Sequence, residues 1–113
     1  MREIFFFRHY ITELQNPNIA AMFRRWGADG YGLYWHILER LYSEPSNMLT
    51  YNKALIRDLS KATKTRKMKV RLMIIDMSSL RLINIDNEHI TSDRVENEIK
   101  EVNRSRNKRM KDA

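Results

Sequence analysis

Leu59-Ser60-Lys61-Ala62-Thr63-Lys64-Thr65-Arg66-Lys67-Met68-Lys69-Val70-Arg71 places six of the chain's 21 lysines and arginines in thirteen residues, with no acid among them. Apolar patterns of helical period flank it on both sides. Upstream, Asn52 is placed to cap a helix that turns Leu55, Leu59 and Ala62 inward. Downstream, Val70, Met73, Ile74 and Met77 recur at i, i+3, i+4 and i+7, with Leu80 one step further, a core stripe for a helix running to about Ser79. Ala62-Thr63-Lys64-Thr65 supplies the turn between them and a hydroxyl to cap the second helix. Two helices joined this tightly are a helix-turn-helix, whose second helix is expected to enter a major groove by its N-terminal residues. At about 100° per residue, Lys64, Lys67, Met68 and Arg71 point away from the core stripe, with Arg66 and Lys69 on the flanks. A second apolar strip, Met68, Leu72 and Ile75, lies opposite the first, where a solvated recognition helix would not need one.

Met48-Leu49-Thr50 reads as a short strand before this pair of helices. After it, Leu82-Ile83-Asn84-Ile85 and His89-Ile90-Thr91 alternate around a polar Asp86-Asn87-Glu88 turn, as a small hairpin does. Carboxylates at Asp86 and Glu88 would repel phosphates, so no nucleic-acid contact is assigned to the hairpin. Further upstream, Asn16-Pro17 starts a helix whose stripe is Ile19, Met22, Phe23 and Trp26. Gly27 ends that helix where a left-handed residue is needed, and Asp29 is placed to cap the next, with core face Tyr34, Ile37, Leu38 and Leu41. Trp26 is expected fully in the core, and Tyr31, Tyr34 and Trp35 are read as packing at this joint rather than as a base-stacking platform.

The net charge of +7 is unevenly distributed. Residues 1–52 sum to zero, whereas residues 53–71 carry eight basic groups against Asp58 alone. Residues 72–99 sum to −4 and residues 100–113 to +4. Such focusing is what an anion-binding surface requires, because phosphates respond to local potential and to counterion release. Val95, Ile99 and Val102 give residues 93–111 a thin apolar stripe, consistent with a last helix or a partly disordered arm. Arg104, Arg106, Lys108 and Arg109 form a basic tail that serves either as a linker or as a direct nucleic-acid contact.

An aromatic run with a histidine (Phe5-Phe6-Phe7-Arg8-His9), then Asn16-Pro17, then Gly27-x-x-Gly30-Tyr31-Gly32-x-Tyr34-Trp35, in this order, resembles the N-terminal domain of phage and bacterial replisome-organiser proteins. These are winged-helix relatives of the DnaD replication-initiation proteins. The resemblance is densest over residues 5–44 and continuous to about residue 93. It implies a winged helix acting in DNA replication, and self-association or a helicase-loading partner. In that family the recognition helix is usually followed by glycine, a place taken here by Arg81.

Other chemistry is poorly supported. With 113 residues, 42% of them apolar, the chain can bury one modest core. The absence of cysteine fits a reducing cytoplasm and leaves no disulfide framework or thiolate zinc site. His9, His36 and His89 lack metal-ligand spacing, no phosphate-cradling glycine loop precedes a helix, and Glu39 and Glu44 have no partner acid. No apolar run is long enough to cross a membrane, and residues 1–7 are too short for a secretory signal, reading instead as a strand or ordered arm.

The expectation is therefore a mainly α fold with a small β wing, a winged helix-turn-helix with an added N-terminal strand and helix. Its winged-helix domain spans residues 1–93, with residues 1–30 an extension and residues 31–93 the core, followed by a C-terminal helix and basic tail or linker at 94–113. Its function is expected to be non-catalytic binding of duplex or single-stranded DNA, with no cofactor or metal and no membrane partner. The DNA-binding residues are Lys53, Lys61, Lys64, Thr65, Arg66, Lys67, Met68, Lys69, Arg71, Arg104, Arg106, Lys108 and Arg109. Alternatives are an assembly module, as a homodimer or bound to a replication protein through Met68, Leu72 and Ile75, and a transcriptional regulator of the same fold.

Overall fold

The computed structural model describes residues 16–112, with side chains as far as Arg104. The N-terminal strand expected at residues 1–7, and His9, lie outside the described residues, as do the side chains of Arg106, Lys108 and Arg109. In chain order the elements are α1 (Pro17–Ser43), β1 (Leu49–Thr50), α2 (Lys53–Thr63), α3 (Lys67–Ser79), β2 (Asn84–Asp86), β3 (His89–Thr91) and α4 (Asp93–Asp112). This is the mainly helical, winged-helix-like architecture that the sequence pattern predicts.

The Asn16 side chain caps α1 by accepting from the N–H groups of Asn18 and Ile19, and Pro17 occupies the first turn. Asn52 caps α2 in the same way through the Leu55 N–H, at 2.9 Å. The helix α1 is broken at Gly27, whose φ of 63° and ψ of −148° are not helical, so the link between its two arms is a single residue. Asp29 does not cap the second arm as expected; it lies within it, and its carboxylate reaches Lys69 of α3. Gly30 has a different role: a Cβ there would sit 2.5 Å from the Cβ of Trp26, so only glycine lets the two arms approach this closely.

Both helices of the helix-turn-helix end alike. The Thr65 N–H bonds to the Ser60 carbonyl and that of Lys64 to Lys61; the Leu82 N–H bonds to Met77 and that of Arg81 to Ser78. These paired bonds close a helix around one left-handed residue, a position that usually favours glycine. Here Lys64 and Arg81 fill it, with φ of 52° and 59°.

The sheet order is β1-β3-β2, all antiparallel, with Ile90 opposite Leu49 on one side and Ile85 on the other. Asn87, with φ of 53°, turns the hairpin, and the Tyr51 N–H bonds to the Glu88 carbonyl, fastening the wing tip to the start of α2. One core joins Ile19, Met22, Leu33, Tyr34, Ile37, Leu38 and Leu41 of α1 to Leu55, Ile56 and Leu59 of α2, the predicted Val70–Met73–Ile74–Met77 stripe of α3, and Ile90 and Val95. Leu80 packs on its edge.

Three core assignments differ from expectation. Ala62 is exposed and Ile56 is buried in its stead, because α2 presents the 55–56–59 side to α1 and α3. Phe23 is 39% exposed and meets Tyr31 edge to face instead of entering the core. Trp26 is only half-buried: its indole N–H must keep a polar partner, and it donates to the Asp76 carboxylate at 3.0 Å.

The C-terminal stretch is helical through Asp112, with Val95 buried, Ile99 packed on the core and Val102 exposed. A polar network docks α4 on α1. The Arg94 guanidinium lies 5.1 Å from the centre of the Trp35 ring, it pairs with Glu98, and Tyr42 donates to the Glu98 carboxylate. Burial lowers the pKa of Arg94, and Glu98 opposes that shift.

Candidate nucleic-acid interface

Lys61, Lys64, Arg66, Lys67 and Arg71, on the end of α2, the turn after it and the first half of α3, are all exposed. None of the five forms an ion pair among the described residues. Arg66 occupies the N-cap position of α3 but makes no side-chain hydrogen bond there, so nothing from the N-cap side chain covers the positive end of the helix dipole. This end is a ready acceptor for an anion.

Thr65 departs from both roles assigned to it. It is buried, and its hydroxyl donates to the Thr63 carbonyl at 3.1 Å, so it shapes the turn and neither caps α3 nor reaches solvent. The Ser60 hydroxyl in turn donates to the Thr65 carbonyl, locking the turn from the α2 side.

Lys69 also differs from its neighbours, since its ammonium pairs with Asp29 at 2.7 Å. On the same flank of α3, Asp76 accepts from both Arg25 and the Trp26 indole. These contacts bracket Gly27 from both sides and clamp the bent α1 along α3. Sequence pattern does not reveal Asp29 and Asp76 as organisers of this face, because their partners lie 40 to 51 residues away in the chain.

The remaining expected contacts are dispersed. Lys53 is exposed at the far end of α2, about 15 Å along the helix axis from the turn. Arg104 is exposed on α4, away from the turn in sequence and on a separate element. The strip opposite the core is as exposed as its spacing predicts, with Met68 at 65%, Leu72 at 48% and Ile75 at 56%. His89 is exposed on β3, while the half-buried His36 borders an open cleft of about 250 Å³ between α1 and the end of α2, beside Ala28, Gly32 and Ala62. Among the described residues, no three His, Asp or Glu side chains gather as a metal site would require, and no helix is long and apolar enough to cross a membrane.

Strand–helix–helix–hairpin order, a β1-β3-β2 sheet and a cationic second helix define a winged-helix-like domain. The chain belongs to the Lin1244/Lin1753-like family, whose N-terminal domain matches residues 6–95. That span takes in α1 through β3 and the first turn of α4. Comparisons with curated proteins and with solved structures give no match.

Proposed function

We propose that this domain is a non-catalytic DNA-binding module of a phage or mobile-element replication protein, a replisome organiser or initiation factor of the DnaD-like kind, acting in the cytoplasm. The observation that carries the reading is the cluster of Lys61, Lys64, Arg66, Lys67 and Arg71 around the open N-terminus of α3, on the helix that a winged helix offers to a major groove. Lys61, Lys64 and Arg66 hold phosphates, and Lys67, Met68 and Arg71 approach base edges. Lys53 and the basic residues of α4, Arg104, Arg106, Lys108 and Arg109, add longer-range attraction.

Titration of the protein with duplex DNA, single-stranded DNA and RNA over a range of salt tests this reading. DNA binding is expected to weaken with a log–log slope of magnitude roughly 4–6, for about five or six phosphates neutralised. Absent or salt-independent binding removes the proposal. The exposed Met68–Leu72–Ile75 strip favours a second reading, an assembly module that self-associates or docks a replication partner. Sedimentation of the protein as a monomer at micromolar concentration excludes its self-association form.

A further inference from the structure

Charge alone does not account for the outer face of α3. Met68, Leu72 and Ile75 follow one another at i, i+4 and i+7 and leave 65%, 48% and 56% of their surface in water, directly opposite the buried Val70, Met73, Ile74 and Met77. Lys67 and Arg71 border this line on one side. On the other side lie Lys69 and Asp76, both tied to α1 by the clamp. Lys64 and Arg66 stand at its N-terminal end. The strip is thus an apolar line with free cations along one side and at its N-terminal end.

A surface complementary to it must place apolar spots beside a row of negative charge. The floor of a DNA major groove does so wherever thymine occurs, because the thymine C5-methyl projects there between the phosphate ridges. We infer that Met68, Leu72 and Ile75 read thymine methyl groups, making an A·T-rich duplex the preferred ligand. This rests on the DNA-binding reading and specifies its ligand. The lengths agree: Met68 to Ile75 spans about 10.5 Å of helix, and successive base pairs lie about 3.4 Å apart, so the strip covers three to four base pairs. The cations supply attraction independent of sequence, and the strip supplies the preference.

The test compares two A·T-rich duplexes of identical sequence, one of which has every thymidine replaced by deoxyuridine. The replacement removes only the methyl and keeps base pairing and phosphates. Fluorescence anisotropy at fixed salt is expected to show about fourfold weaker binding for each methyl removed from beneath the strip, hence at least tenfold for two or more, with an unchanged salt slope. L72Q, whose circular dichroism reports whether it is folded, should shrink the difference in affinity between the two duplexes. Equal affinity for the two duplexes with a normal salt slope overturns the inference and leaves the DNA-binding reading standing. Binding to neither duplex overturns both. Equal affinity together with a dimer that L72Q dissociates assigns the strip to a second copy of the chain.

Discussion

On the side of α3 that faces α1, Asp76 is shared by Arg25 and Trp26, Lys69 is held by Asp29, and the apolar stripe is sealed in the core. On the opposite side, apolar side chains stand in water and Lys67 and Arg71 have no ionic partner among the described residues. One helix thus carries a face whose groups are satisfied within the fold and a face whose groups await something outside it. Substitutions on the inner side should change stability and leave binding specificity alone. Those on the outer side should do the reverse.

The largest effect is expected on the outer side. Lys67→Glu with Arg71→Glu removes two cations and adds two repulsive charges, and should weaken DNA binding on the order of 10²-fold at low salt. Thermal unfolding should be unchanged within error, because neither residue touches the core. Unchanged affinity would move the interface to α4. At the joint, Gly30→Ala forces a methyl into the Trp26 Cβ and is expected to cost about 1–3 kcal/mol in chemical denaturation. Gly27→Val should cost about as much, through the left-handed backbone it would have to adopt. Stability equal to the wild type in either variant would show that the clamp tolerates a different bend.

Smaller effects sharpen the contrast. Asp76→Ala leaves the half-buried Trp26 indole N–H without its acceptor and should cost about 1–2 kcal/mol, with binding preference unaltered. Lys64→Gly and Arg81→Gly each relieve a left-handed residue and should raise stability by up to about 1 kcal/mol. Only Lys64→Gly should also weaken DNA binding, since Lys64 alone of the two stands at the α3 N-terminus. A matching loss of affinity in Arg81→Gly would place the wing end of α3 in the interface as well.

The elements that local chemistry dictates were legible in the sequence. Asn16 and Asn52 signal helix starts because a side-chain oxygen two or three residues from free N–H groups needs no tertiary help. The Val70–Met77 stripe and the wing hairpin follow from periodicity. Long-range partners were not legible. Trp26 looks like a core residue on period alone, and its half-exposure follows from Asp76, fifty residues on. Thr65 looks like a cap or a contact because hydroxyls do both, and only the way the chain leaves α2 turns it inward. In the candidate site, the cations were visible as a cluster, but the pairing of Lys69 with Asp29 required the bend at Gly27 to be known first.

The bend also bears on the order in which the chain folds. The helix-turn-helix and the wing hairpin are built from residues close in sequence, whereas the contacts fastening α1 to α3 and α4 close loops of 40 to 60 residues. Closing a flexible loop of that length costs roughly (3/2)RT ln n, and none of it is recovered until the docked contacts form. The α2–turn–α3 unit is therefore expected to condense early, with α1 settling over it near the end of the folding reaction. Substitutions at Arg25 and Asp29 would then act mainly on the unfolding rate, and those in the Leu59–Val70 turn region on the folding rate. The clamp at Gly27 is, in kinetic terms, a latch that closes after the surface it braces has already been shaped.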